Sequence, residues 1–196
     1  MNMRVILLLG MLWAGAGAWA ENWPAWRGPH SNGVVPDRKA PASFAVDRMW
    51  KVKLEGRACS TPVVWEGKVF VTGLIGEKDA VQAFDLKSGK ELWRKELGAA
   101  RLGRTQRIGS SANSSPLTDG RHLFVYFKSG TVAALTLQGE VAWKINLDEV
   151  AHPDKILWDR GTSPIFAGGR LVIAVMQQAG TSYLVALDKK NGKRAW

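Results

Sequence analysis

The sequence has almost no cysteine. Cys59 is the single thiol in 196 residues, which excludes an internal disulfide framework and any Cys-x-x-Cys redox or zinc motif. Histidine is nearly as scarce: His30, His122 and His152 stand 92 and 30 residues apart and show no metal-ligand spacing. No Gly-x-Ser-x-Gly elbow, phosphate loop or Gly-x-Gly-x-x-Gly turn occurs, so no nucleophile or nucleotide signature is present. Acidic residues are in deficit, 17 against 27 Lys and Arg, for a formal charge of +10. Beyond residue 20 there is no apolar run long enough to span a bilayer as a helix. What is plentiful is tryptophan, with 10, and glycine, with 21, in a chain that is 46% hydrophobic. That is ample material for a core and for many tight turns. Cys59 sits in an apolar, strand-like stretch and reads as a small buried hydrophobe.

Residues 1–20 read as a cleavable signal peptide. Arg4 is the basic start, Val5 to Gly17 is a short apolar run, and Ala18-Trp19-Ala20 is a small-x-small cleavage site. The mature chain then begins at Glu21, in the periplasm or outside the cell. No Cys follows the apolar run, so no lipid anchor is indicated there. Residues 21–48 form an irregular segment that opens Trp23-Pro24-Ala25-Trp26-Arg27-Gly28-Pro29 and is expected to tuck against the remaining structure.

The rest of the chain repeats. Ala83-Phe84-Asp85-Leu86-Lys87-Ser88-Gly89-Lys90-Glu91-Leu92-Trp93 returns as Ala186 to Trp196, and in a form one residue shorter as Ala134 to Trp143. Trp93, Trp143 and Trp196 are spaced 50 and 53 residues apart, a period that signals a stacked or radial repeat. In each copy a short apolar strand runs into a polar turn closed by Gly89, Gly139 or Gly192, and Asp85 and Asp188 are placed to bond the turn backbone. The Trp always comes four positions after the Gly, a fixed place on the returning strand from which a large ring can dock one repeat on the next. Each repeat also has an opening Ser/Thr-Pro strand and a second strand after an x-Gly turn. This predicts four-stranded antiparallel blades over residues 58–97, 111–147 and 160–196, the last one truncated. Met49-Trp50-Lys51-Val52-Lys53-Leu54 looks like the last strand of a further blade, a closing strand over residues 49–54 with Trp50 as its docking ring. Three blades do not close a ring, so the chain is expected to be the N-terminal part of a longer, monomeric protein.

The repeat, with its Ala-x-Asp-x-x-x-Gly-x-x-x-Trp pattern, resembles that of the quinoprotein (PQQ-like) β-propeller family, and the Trp-Pro-x-Trp-Arg-Gly-Pro opening is similar to that of its exported bacterial members. The second copy departs from the pattern, with Thr136 in place of Asp. The resemblance implies an all-β propeller. It offers two functions. The favoured one is a non-catalytic periplasmic or secreted scaffold that binds proteins or other envelope components, like the family's adaptor branch in outer-membrane barrel assembly. The alternative is a dehydrogenase using pyrroloquinoline quinone with Ca²⁺, whose covering ring of two adjacent half-cystines this single-cysteine chain lacks. No cofactor and no catalytic residue are therefore expected. The basic balance suits an anionic partner, and export sets nucleic acid aside. The two long connections carry the candidate partner-binding residues: Arg101, Arg104 and Arg107 in one, His152 and Trp158 in the other.

Overall fold

A computed structural model describes residues 22–34, 50–102, 110–151, 161–177 and 180–196. The signal peptide, Arg104, Arg107, His152 and Trp158 lie outside the described residues. Three antiparallel meanders follow one another along the chain. The first sheet is β1 (Val63–Trp65), β2 (Lys68–Ile75), β3 (Lys78–Asp85) and β4 (Glu91–Ala99), paired in that order. The second is β5 (Leu117–Thr118), β6 (His122–Tyr126), β7 (Thr131–Thr136) and β8 (Val141–Asn146), followed by the single helical turn α1 (Leu147–Val150). The third contains β9 (Ile165–Ala167), β10 (Arg170–Val175) and β11 (Tyr183–Asp188). A returning segment is attached to β11 by the isolated bridge Leu187–Arg194 and by Ala195 N donating to Ala186 O at 2.8 Å.

The sheets stack face to face as propeller blades, and the packing explains why their strands read as unbroken apolar runs. In β6, Leu123 and Val125 face blade 1 and pack with Val63, Phe70, Val81 and Ala83. Phe124 and Tyr126 face the other way, onto Leu171, Ile173, Val185 and Leu187 of blade 3. A strand buried on both faces has no polar side to alternate with. In β10 only alternate residues, Leu171, Ile173 and Val175, are buried, because among the described residues its second face is uncovered.

The repeat turns are of two lengths. In the longer ones Gly89 N donates to Asp85 O and Gly192 N to Asp188 O, each at 2.8 Å. In the shorter one Gly139 N donates to Thr136 O, one residue closer, at 3.0 Å. Asp188 Oδ1 accepts from Lys190 N, two residues on, at 2.7 Å, whereas Asp85 Oδ1 accepts from Ser88 N, three residues on, at 2.7 Å. Thr136 Oγ1 accepts from Glu140 N at 3.2 Å and so substitutes for the missing carboxylate.

A tryptophan from the preceding segment lies against each turn. Trp50 Nε1 donates to Leu86 O at 2.8 Å, Trp93 Nε1 to Leu137 O at 3.1 Å, and Trp143 Nε1 to Lys189 O at 2.8 Å. A Cβ added at Gly89, Gly139 or Gly192 would come within 2.5, 2.7 or 2.6 Å of the respective ring. These glycines are also at φ +70°, +91° and +71°, so both the backbone and the ring demand glycine. Trp196 is 58% exposed, with no such glycine against it among the described residues. Residues 50–54 carry Trp50 to its turn without strand pairing among the described residues.

Trp93 also packs against Phe70, with ring centroids 5.9 Å apart. Trp93 is partly buried, so in the full-length protein Trp93→Ala is expected to cost about 3 kcal/mol, the low end for emptying an aromatic site, and a melting curve checks it. Gly139→Ala is expected to destabilise by about 1–3 kcal/mol through left-handed strain and contact with the same ring. An unchanged melting temperature in either variant would show that the ring and the turn are not coupled.

Candidate functional site

Two regions of the blades are candidate functional surfaces: the rim where the long connections leave, and the cleft beside the inner strands. The rim is built by the ends of β2, β4, β6 and β8. Lys78 Nζ and Glu96 Oε2 pair at 2.5 Å, and Lys144 Nζ donates to Leu97 O of the adjacent blade at 2.9 Å. They border an open groove of about 490 Å³ floored by Gly98 and Ala99. Arg101, the one candidate of its cluster within the described residues, is not merely solvated. Its guanidinium pairs with Asp148 at the start of α1, so the two long connections are joined across blades where they leave the sheets. Asn146 Oδ1 accepts from Asp148 N at 2.9 Å and caps that turn, which holds the acidic partner in place.

Beside this pair lies a carboxyl that the sequence pattern did not single out. Asp79 is the second residue of β3, opposite Gly98 and directly before the apolar run, and is fully buried. Its oxygens accept from two hydroxyls of blade 2: Ser111 Oγ to Oδ1 at 2.7 Å and Ser129 Oγ to Oδ2 at 2.6 Å. Ser129 Oγ in turn lies 2.9 Å from Thr131 Oγ1. Burial pushes the Asp79 carboxyl up to about 6, against the opposing pull of the Ser129 and Ser111 hydroxyls. The one available signal was a charge flanked by Lys78 and Ala80 at the mouth of a hydrophobic strand. Its hydroxyl partners, 32 and 50 residues away, were not inferable from the local pattern.

The second region is a cleft of about 720 Å³ along the inner strands, walled on one side by residues 24–31. The opening segment folds back on itself, with Gly33 N donating to Arg27 O at 2.9 Å and Gly28 at φ +77° beneath the Trp23 ring. Trp23 pairs with Val64 of β1, N to O at 2.8 Å and the reverse at 3.0 Å, and Pro24 O accepts from Thr118 N of β5 at 2.8 Å. This strap thus tucks across blades 1 and 2 at the axial side. The cleft also corrects the reading of Cys59, which is exposed and lines this wall rather than packing in a core. Cys59 precedes β1, so it lies outside the sheet faces that bury apolar side chains. None of the described residues that line the cleft is charged, and the described residues contain no group of three or more His, Cys, Asp or Glu that could hold a metal ion. Such a lining has no cations for the carboxylates of pyrroloquinoline quinone and no carboxylates for Ca²⁺. The described residues do not fit that group.

Comparison with known proteins follows the same lines. A family model described as outer membrane protein assembly factor BamB matches residues 47–196. The chain is 28% identical over 135 residues to the outer membrane protein assembly factor BamB of Escherichia coli (strain K12), an alignment covering 69% of this chain and 27% of that protein. It therefore spans little more than a quarter of the length of the curated relatives it matches. Among solved structures, BamB from Moraxella catarrhalis superposes with a TM-score of 0.51 at 17% identity, covering 74% of this chain and 41% of that one. Quinohemoprotein alcohol dehydrogenase from Comamonas testosteroni superposes with a TM-score of 0.51 at 19% identity, covering 72% and 21%. At these identities the likeness to solved structures establishes the fold, not the chemistry.

Because the folded-state pKa of Asp79 is raised, the native state holds its proton more tightly than the unfolded chain. The stability so gained is complete below about pH 4 and is lost as pH rises through about 6. The loss is roughly 3 kcal/mol at about 1.4 kcal/mol per unit. Melting temperatures of the full-length protein between pH 4 and 7 should carry this component, and Asp79→Asn should flatten it. A variant with the same pH profile would show that Asp79 titrates normally.

Proposed function

Because the chain belongs to the outer membrane protein assembly factor BamB family of PQQ-like repeat propellers, we propose that it is a non-catalytic scaffold of the periplasm or cell exterior that binds protein components of the envelope. The observation that carries this reading is the Arg101–Asp148 pair, which joins the two long connections on one rim. The pair brings the described starts of the two connections together, and the excess of basic residues in the chain suits a partner with an acidic surface. In this reading Trp50, Trp93, Trp143 and Trp196, with Gly89, Gly139, Gly192, Asp85 and Asp188, hold blades and turns together and touch no partner. The enzyme reading finds no support among the described residues that line the cleft. Envelope localisation and protein partners are what the relatives' name implies for this chain.

A photo-crosslinking residue placed at Leu102, exposed beside Arg101, tests the scaffold reading in the full-length protein in its native cells. The expected products are adducts with envelope proteins of outer-membrane assembly, reduced at least about tenfold by Arg101→Glu, as for loss of a contacting charge. A folded protein giving no such adduct would overturn the reading. Titration of the full-length protein with pyrroloquinoline quinone and Ca²⁺ is expected to give no saturable change in quinone absorbance. Stoichiometric binding with dye reduction by alcohols or sugars would replace the scaffold with the enzyme.

A further inference from the structure

The inner strands of the three blades are equivalent, and their outward backbone groups are not equally used. Val64, Thr118 and Phe166 hold the same place, three residues after Thr61, Ser115 and Ser163 and each in an antiparallel pairing with its second strand. At Val64 both N–H and C=O point away from β2, because both bond to Trp23 of the strap. At Thr118 the N–H bonds to Pro24 O, and the strap goes no further as a strand because Pro24 has no N–H to return. Phe166 pairs with Leu171 across a two-residue turn, Gly168-Gly169, of the same length as Glu66-Gly67 in blade 1. Antiparallel alternation therefore turns its N–H and C=O away from β10, and they have no partner among the described residues. The Phe166 ring itself is anchored, edge-on to Phe124 at 5.3 Å. The edge is thus held in position while its main chain stays open.

We propose that this inner edge of blade 3 takes up an extended, uncharged segment of a partner polypeptide by β-strand addition at Phe166. The proposal rests on the protein-binding reading of the chain and names a mode of capture separate from the charged rim. The chemistry of the occupant follows from the site. The strap shows that an extended main chain already fills the same position in the two sister blades. The cleft into which Phe166 opens has about 720 Å³ and no charged residue among its described lining residues, and the Lys189 ammonium that lies 4.6 Å from the Phe166 ring centroid is already paired with Asp119 at 2.9 Å. Its apolar surface is exposed where a strand's side chains would lie: Ile165 beside Phe166, and Trp26 on the opposite wall, are each 58% exposed. Main-chain bonds would supply affinity, and these two side chains a preference for apolar residues at alternate positions.

The test uses the full-length protein and a fluorescein-labelled peptide of about ten alternating valines and threonines, a length suited to strand addition. Fluorescence anisotropy should rise saturably. The same peptide N-methylated on every amide should bind at least about tenfold more weakly, since neither edge of its main chain can then donate to the site. Ile165→Lys should weaken binding of the unmodified peptide at least about tenfold, by placing a charge on the strand edge. Binding should change little between about 50 mM and about 500 mM NaCl, because the peptide is uncharged and the Lys189 ammonium beside Phe166 is already paired with Asp119. Equal affinity for the methylated peptide would overturn strand addition in favour of unspecific apolar contact. Insensitivity to Ile165→Lys would place the peptide elsewhere. A concentration-dependent dimer in sedimentation velocity that Ile165→Lys abolishes would assign the edge to the strap of a second copy and overturn the proposal. Peptide capture retained in a protein without rim adducts would fail the rim reading alone. Rim adducts without peptide capture would fail strand addition alone.

Discussion

The structure depends on a tryptophan ring laid across a glycine of the next blade, with the indole N–H bonded to a carbonyl of the same turn. The contact recurs at Trp50 with Gly89, Trp93 with Gly139 and Trp143 with Gly192. It joins two requirements that are usually met separately. The turn needs a left-handed residue, which glycine supplies without strain, and the ring needs a flat surface without a Cβ. One residue type answers both, so the outer strand of one blade and the hairpin turn of the next fix each other's position. The sheets can then bury both faces, and Phe124 and Tyr126 on one side of β6 with Leu123 and Val125 on the other become core residues of two different interfaces.

The interblade interfaces become more polar away from the apolar centre. On the rim Asp79 is enclosed by the hydroxyls of Ser111 and Ser129, and Arg101 reaches Asp148. Burying a carboxylate with neutral donors is costly, and the raised pKa of Asp79 is the expression of that cost. At the inner strands the polar groups are uncharged. Ser115 Oγ accepts from Thr61 N and Ser163 Oγ accepts from Ser115 N, each at 2.9 Å, so the hydroxyl opening each blade receives the backbone of the blade before it. The inner strands are thus joined blade to blade through uncharged hydroxyl and main-chain contacts.

The strap shows how an irregular segment can be as well determined as a strand. Trp23 and Pro24 spend their backbone groups on β1 and β5, and Gly28 lets the chain turn back under the Trp23 ring, where an added Cβ would sit 2.7 Å from it. The same segment that stabilises two inner edges stops short of the third. That asymmetry comes from a proline in a particular register, not from any difference in the blades.

The amino-acid sequence by itself determined the family, the all-β architecture and the period of the repeat. Local chemistry suffices for these: a glycine at a turn, a tryptophan four residues later, and apolar β-branched runs between x-Gly turns state their structure within a dozen residues. The extended pairing of the strap, the exposure of Cys59, the open edge at Phe166, and the meeting of Arg101 with Asp148 and of Asp79 with Ser111 and Ser129 were decided by tertiary structure alone. Each joins or exposes groups according to how one blade is rotated against its neighbour, and side-chain partners that bridge two blades are 32 to 70 residues apart. No local pattern encodes that rotation. It is set by the stacked faces and the tryptophan contacts together, and only once it is set do a buried carboxyl, an ion pair and an unpaired strand edge acquire their places.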